Sequence, residues 1–129
     1  MSRHEDYVSL RQMLDHACEA TAMLGDHTRE DLEENRMLEL ALVHLVEIVG
    51  EAANRVSDQT CKRFPSIPWP AIVGMRNRLA HGYDKVDLQI LYDTIIEDLP
   101  PLIQTLENVL AQMQKRDKND KESGPIPPK

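Results

Sequence analysis

Apolar residues recur at intervals of three and four positions along most of the chain, which is the period of amphipathic helices. The first such stretch spans residues 7–24, and Gly25 is expected to end it. Thr28, followed three residues later by Asp31, resembles a capping box at the start of a second helix. The pattern therefore predicts two consecutive helices joined by a short turn.

The second helix is predicted to be the longest, over residues 29–56. Its segment 37–49 is apolar on nearly every side, which indicates burial on more than one side and points to a dimer formed through this surface. A proline-rich break follows, in which Trp69 is expected to anchor the turn in the core. A short third helix over residues 69–81 should then end at Gly82, a natural residue after a helix C-terminus.

The last apolar stretch begins after a capping Asp87 and continues to about Met113. Prolines 100 and 101 interrupt this helix and are expected to kink it. Residues 115–129 are polar and rich in proline, so a disordered tail is expected there. The predicted fold is an all-α, up-and-down bundle of four to five helices in one domain, residues 1–114.

Composition agrees with this fold class, since aromatic residues make up 4% of the 129 residues and charged residues 29%. The two cysteines, Cys18 and Cys61, form no CxxC pair and are expected to be reduced and structural. The N-terminal residues do not resemble a secretion signal, and no apolar run is long enough for a membrane span. We therefore expect a cytoplasmic protein without membrane association.

Charge is unevenly distributed along the chain. The formal net charge is −7, which argues against bulk adhesion to nucleic acid or an anionic membrane. Residues 55–85, however, contain six basic residues against two acidic ones. This basic middle could be an anion site, or it could meet an acidic partner or the chain's own acidic helices.

Arg76 and His81 lie within the basic middle, five residues apart. On a continuous helix their side chains diverge by about 140°, whereas Asn77 and His81 share one face. Spacing alone is weak evidence, because Arg11 and His16 show the same interval inside an ordinary polar helix face. At a helix C-terminus, His81 would have its pKa raised by the helix dipole and lowered by the nearby arginines. With these opposing effects it could transfer protons near neutral pH.

Together these side chains suit the cleavage of RNA by its own 2′-hydroxyl group. His81 would move protons, while Arg76 would neutralise charge developing on the phosphate oxygens. This chemistry usually needs both a base and an acid. One chain supplies one well-placed histidine, and a two-fold dimer would supply two.

Several runs of the sequence resemble the HepT-type branch of the HEPN superfamily. They are EIVGEAA at 47–53, PSIPW at 65–69, IVGMRNRLAHGYD at 72–84, VD at 86–87 and EDLP at 97–100. The resemblance implies a HEPN-type helical bundle and a metal-independent endoribonuclease, the toxin half of a toxin–antitoxin pair, with no cofactor. The catalytic motif of the family is Arg, four residues, His, any residue and Tyr, and the resemblance places it on Arg76, His81 and Tyr83.

The resemblance also implies partners. Family members form dimers in which the two motifs face each other, and their antitoxin is a minimal nucleotidyltransferase of the MntA type that transfers AMP to the motif tyrosine, here Tyr83. A larger hetero-oligomer with the antitoxin is a further expectation. Pro70 departs from the polar residue expected at that position, but it lies outside the motif.

Four other residues are candidates for supporting the motif: Asn77, Arg78, Glu47 and Glu51. Glu47 and Glu51 could pair with Arg76 or Arg78, and with His44 they could instead form half of a metal site, the weaker of the two interpretations. Two other functions stay open. One is a non-catalytic HEPN subunit that binds nucleotide or substrate for a nucleotidyltransferase, and the other is a structural or metal-binding bundle.

Overall fold

The computed structural model describes residues 3–80 and 85–122, with side chains described through residue 116. The helices, in chain order, are α1 (Arg3–Leu24), α2 (Arg29–Glu34), α3 (Arg36–Arg55), α4 (Asp58–Arg63), α5 (Trp69–Val73), α6 (Met75–Leu79), α7 (Leu88–Asp93) and α8 (Leu99–Glu122). A π-helical turn, Thr94–Asp98, joins α7 to α8. The predicted all-α class is confirmed across these residues, where the only pairing of extended backbone is one isolated β-bridge.

Helix α1 lies at the centre of the bundle, between α3 and α8. Asp6, near its start, accepts hydrogen bonds from Ser57 and Thr60, which follow the end of α3. Tyr7 accepts a hydrogen bond of 2.6 Å from Gln114, near the other end of the chain's last helix. Both neighbours therefore run antiparallel to α1, and the predicted up-and-down bundle is confirmed.

One continuous apolar core fills the space between these helices. Twelve large side chains in it are almost completely buried: Leu10, Met13, Leu24, Leu32, Leu42, Ile67, Ile72, Leu91, Ile95, Leu99, Leu106 and Met113. The short helices α5 and α6 pack against α3, and α7 packs against α2 and α6. Within residues 3–80 and 85–122, no helix has the length and apolar character needed to cross a membrane.

The turn between the first two helices forms as its sequence predicts. Gly25 adopts a left-handed backbone conformation with φ of 48°, which side chains with a Cβ rarely adopt. Thr28 caps α2 through a complete capping box, in which its hydroxyl accepts from the Asp31 N–H and the Asp31 carboxylate accepts from the Thr28 N–H. These bonds lower the pKa of Asp31 below its ordinary value, the bond from the Thr28 N–H most of all.

The prediction of one long helix over residues 29–56 is wrong at Asn35. This residue is extended, with φ of −121° and ψ of 90°, and its side chain accepts a hydrogen bond of 3.0 Å from the Leu38 N–H. Asn35 thus ends α2 and caps α3. The break lets α2 turn toward α7, where Arg29 donates to the side chain of Gln89 at 2.8 Å.

The apolar surface of α3 is only partly covered within one chain. The helix contacts α1 and the short helices α5 and α6. Near its start, however, Met37 is 82% exposed and Leu40 is 51% exposed. The predicted dimer through this surface stays a prediction.

Helix α4 is an element that the apolar pattern did not indicate. It begins at the cap residue Ser57, and its side chains are polar, with none of them fully buried. The expected anchoring of Trp69 is confirmed, because its indole N–H donates to the carbonyl oxygens of Cys61 and Phe64, each at 3.1 Å. Cys61 is half-buried, whereas Cys18 is exposed.

The last helix is irregular, as predicted, but the irregularity precedes the proline pair. Prolines 100 and 101 lack N–H groups, and a proline ring clashes with the carbonyl four residues earlier in a regular helix. The π turn relieves this, since the Leu99 N–H bonds five residues back to the Thr94 carbonyl. Helix α8 then continues to Glu122, past the expected start of the tail at Lys115. Residues 123–129 lie outside the described part of the chain.

Candidate functional site

Helix α6 presents three polar side chains to solvent. Met75 and Leu79, one turn apart, are 3% and 2% exposed, so they fix the inner side of this five-residue helix against the core. Arg76, Asn77 and Arg78 lie between them and are all exposed. Two of the candidate supporting residues thus share one short helix with the predicted catalytic arginine.

A close backbone contact with α3 fixes the position of α5, the helix that precedes α6. A Cβ atom added to Gly50 would lie 3.0 Å from the carbonyl oxygen of Ile72, a distance that real Cβ atoms rarely show. Glycine at this position therefore allows α5 to lie directly on α3. Gly74 then separates α5 from α6, and its carbonyl accepts from the Arg78 N–H at 3.1 Å.

The far end of α6 is held by a β-bridge. Ala80 is extended, with φ of −66° and ψ of 131°, and it forms an antiparallel bridge with Val86. The Asp87 N–H donates to the Leu79 carbonyl at 2.9 Å beside it. Both ends of the segment between Ala80 and Val86 are therefore attached to the bundle.

The prediction that the third helix reaches His81 is wrong, because α6 ends at Leu79. The helical spacing that related Asn77 to His81 therefore stops before it reaches that residue. His81 and Tyr83 lie outside the described residues, as does the predicted stop at Gly82. Their assigned roles stay predictions.

Among the described side chains, the cations of α6 have few partners. Arg78 donates to the Ala71 carbonyl at 3.3 Å, which leaves other guanidinium N–H groups available. Among residues 3–80 and 85–116, no side chain forms a hydrogen bond or ion pair with the side chains of Arg76 or Asn77. Exposed cations without carboxylate partners can bind a phosphate without first giving up an ion pair.

Glu47 and Glu51 do not form the expected pairs with these arginines in the described part of the chain. Glu51 is exposed and lies 4.0 Å from Arg55, one turn along α3. Glu47 is half-buried. A supporting role for either one stays a prediction. In residues 3–80 and 85–116, no three His, Cys, Asp or Glu side chains are grouped as a metal site would require.

The pair with the same spacing in α1 provides a useful contrast. Arg11 forms an ion pair with Asp15 at 3.3 Å, and Nδ1 of His16 lies 2.7 Å from the Gln12 carbonyl oxygen. Both side chains are engaged by residues one turn away on the same helix. The structure thus supports the interpretation of this pair as an ordinary helix face.

A groove beside α6 was not anticipated from the sequence. It has a volume of about 370 Å³ and lies between the α5–α6 segment and the start of α8. Arg78 borders it, and Glu97 and Asp98 of the π turn lie among its other lining residues. Glu97 and Asp98 are visible in the sequence beside the proline pair. Their position next to this groove, however, depends on tertiary packing.

Comparisons with known proteins place the chain in a family. The family model described as "Ribonuclease HepT-like" matches residues 12–109. A protein of Thermococcus cleftensis named "Probable ribonuclease HepT" is 32% identical over 103 residues, covering 77% of this chain and 88% of that protein. A "Putative RNase" of Methanocaldococcus jannaschii is 29% identical over 109 residues, covering 84% of this chain and all of that protein. No solved structure gave a significant match.

Proposed function

The chain belongs to the HepT-like ribonuclease family, and from this premise we propose that it is a metal-independent endoribonuclease with Arg76 and His81 as its catalytic pair. The observation that carries the proposal is the exposed Arg76 on a helix fixed at both ends. Met75 and Leu79 hold α6 against the core, and the bridge at Ala80 holds the residue that precedes His81. A catalytic arginine needs such a rigid support to be aimed at the reacting phosphate.

The proposed reaction is attack by the 2′-hydroxyl oxygen of RNA on the adjacent phosphorus. A base takes the hydroxyl proton, the bond from phosphorus to the 5′-oxygen breaks, and an acid donates a proton to that oxygen. His81 fills one of these roles. Arg76 stabilises the negative charge that builds up on the other phosphate oxygens. A homodimer would supply the second histidine, so the active enzyme is proposed to be a dimer.

We further propose that the protein is the toxin of a toxin–antitoxin pair. Its antitoxin would be a minimal nucleotidyltransferase that transfers AMP to the hydroxyl of Tyr83. Each transferred AMP adds bulk and a negative phosphate two residues from His81, which would repel the RNA backbone from the site. Support for this control comes from the sequence motif and from the family to which the chain belongs.

Expression in cells tests the catalytic assignment. The wild-type chain is expected to arrest growth, and Arg76→Ala and His81→Ala are each expected to relieve the arrest while the purified variants keep the wild-type melting temperature. Arg11→Ala is the matched control, since Arg11 is bound within a polar helix face, and it should remain toxic. Full toxicity of both motif variants would contradict the catalytic pair.

Two further measurements test the finer parts of the proposal. RNA cleavage by the purified protein should persist in excess chelator, and its loss there would contradict a metal-independent reaction. After incubation with the nucleotidyltransferase and ATP, mass spectrometry should find AMP on Tyr83. Neutralisation of the toxin with Tyr83 unmodified would instead indicate control by simple binding.

A further inference from the structure

The groove beside α6 combines an apolar interior with a charged margin. Three of its side chains, Ile72, Met75 and Leu102, are at most 5% exposed and belong to the core. Prolines 68 and 101 also line it. Its volume of about 370 Å³ falls within the range of small-ligand sites. The groove can therefore accept a flat apolar group of moderate size.

The charged margin supplies both kinds of hydrogen-bonding group. Glu97 and Asp98 are exposed carboxylates, and neither has a hydrogen bond or ion pair with another side chain in residues 3–80 and 85–116. Arg78 is bound to the Ala71 carbonyl through one nitrogen and keeps further N–H donors. A ligand in the groove thus meets acceptors from the π turn and donors from α6.

We propose that this groove binds a nucleobase of the RNA substrate, and that it prefers bases with an exocyclic amino group. A base has apolar faces that suit the interior, and its edge carries donors and acceptors. The amino groups of guanine, cytosine and adenine can donate to Glu97 or Asp98, whereas uracil has no such group. This inference rests on the proposed ribonuclease function and adds a substrate preference to it.

The position of the groove relative to Arg76 indicates which nucleotide it would hold. Residues two apart on a helix are separated by about 200° around its axis, so Arg76 and Arg78 lie on opposite flanks of α6. The groove is on the Arg78 side. A strand that crosses the exposed face of α6 would place its phosphate at Arg76 and a neighbouring base in the groove. The bound base therefore flanks the scissile nucleotide.

Charge favours a base over the sugar–phosphate backbone in this groove. Two carboxylates repel a phosphate, and the single Arg78 does not outweigh them. The three polar residues on the outer face of α6, in contrast, have no acidic partner among the described side chains. The backbone is thus directed to α6, and the base is directed to the groove.

Binding of single nucleosides tests the assignment without requiring cleavage. Methyl NMR of protein labelled at methionine should show a shift of Met75 on addition of guanosine, cytidine or adenosine. Met37, which is exposed on α3 and is not among the residues that line the groove, is the internal control. Binding of uridine should be at least about fivefold weaker, in keeping with the discrimination of one good hydrogen-bonded pair. Equal binding of all four nucleosides, or none, would overturn the proposal.

A double variant, Glu97→Gln with Asp98→Asn, identifies the groups responsible. It should remove the preference over uridine, while Glu107→Gln, an exposed residue of α8 outside the groove, should keep it. An unchanged preference in the double variant would overturn the role of the carboxylates. A Met75 shift with a basic peptide and with no nucleoside would overturn the base assignment and make the groove a protein-binding surface.

Sequencing of cleavage products separates this inference from the proposed function. Wild-type protein should cut beside amino-bearing bases more often than beside uracil, and the double variant should lose this bias. If RNA is cut and the bias is the same in both proteins, the base subsite is wrong and the nuclease stands. If RNA is not cut but Met75 responds selectively to the nucleosides, the nuclease is wrong and the subsite stands.

Discussion

Two polar regions of this protein use charged side chains in opposite ways. At the start of α1, Asp6 is 2% exposed and accepts three hydrogen bonds, from the Ser57 N–H at 3.0 Å, the Ser57 hydroxyl at 2.6 Å and the Thr60 hydroxyl at 2.6 Å. On α6, Arg76 and Asn77 are exposed, and no described side chain binds theirs. The first region is satisfied within the protein, and the second is available to a ligand.

The difference shows how function can be separated from structure in a small helical bundle. A buried carboxylate must be hydrogen-bonded, since its desolvation would otherwise cost several kcal/mol, so Asp6 is committed to joining the start of α1 to the start of α4. An exposed guanidinium carries no such penalty, and leaving it unpaired costs little stability. Substitutions should therefore affect stability in the first region and activity in the second.

The largest effect is expected for Arg76→Ala. Removal of one group that stabilises transition-state charge should lower the RNA cleavage rate about 100-fold or more, with no change in the melting temperature. Single-turnover cleavage and thermal denaturation of the same preparation measure both quantities. Arg11→Ala should retain the wild-type rate, and an equal loss in that control would mean that general positive charge, not the motif position, is responsible.

The next largest effect is expected for Asp6→Ala. The change leaves the donors of Ser57 and Thr60 without their acceptor, which should reduce the free energy of unfolding by about 2–3 kcal/mol. Urea denaturation measures this loss. The exposed Asp26→Ala should stay within about 0.5 kcal/mol of wild type. A loss in Asp6→Ala no larger than in this control would show that the buried carboxylate does not join the helices.

A smaller effect that links the two regions is expected for Gly50→Ala. Alanine is favoured over glycine inside a helix by about 1 kcal/mol, but the new Cβ would lie 3.0 Å from the Ile72 carbonyl oxygen. The α5–α6 segment must shift, so we expect a net destabilisation of about 1 kcal/mol and a several-fold slower cleavage. Asn54→Ala, on the exposed side of α3, should change neither. A stabilised, fully active Gly50→Ala would contradict the close contact.

The smallest effect is a dependence on acid pH at Asp6. Burial raises the pKa of this carboxyl, but the hydrogen bonds from Ser57 and Thr60 together lower the pKa by more than burial raises it. The pKa therefore lies below its ordinary value of 3.8. Its stabilising contribution is therefore complete above that value and is lost as the pH falls through the folded-state pKa. The difference in unfolding free energy between wild type and Asp6→Asn should shrink below about pH 4. A constant difference down to lower pH would contradict a lowered pKa.

The helical pattern predicted much of the fold because it depends on local sequence. The capping box at Thr28 and the turn at Gly25 form from groups three or four residues apart, and both were predicted. The apolar pattern does not predict the break at Asn35, because the contact between α2 and α7 that accompanies it is a tertiary one. Ser57 is a residue type that often caps helices. Helix α4 has no apolar stripe, however, so its sequence shows no helical period.

The candidate site was predictable as a motif but not as a geometry. The sequence identified Arg76, but its helical period did not predict the end of α6 at Leu79, where Ala80 leaves the helix and pairs with Val86. The groove lies between elements that are distant in the sequence, so no local pattern could place Glu97 and Arg78 in one lining.

The most direct test of the central contrast measures stability and cleavage together in two variants. We predict opposite results for the two variants. Asp6→Asn should have a lower free energy of unfolding and a near wild-type cleavage rate per folded molecule. Arg76→Ala should have an unchanged free energy of unfolding and a cleavage rate that is roughly 100-fold slower or more. Arg76→Ala that cleaves RNA at the wild-type rate would contradict the account, whatever the stability of Asp6→Asn.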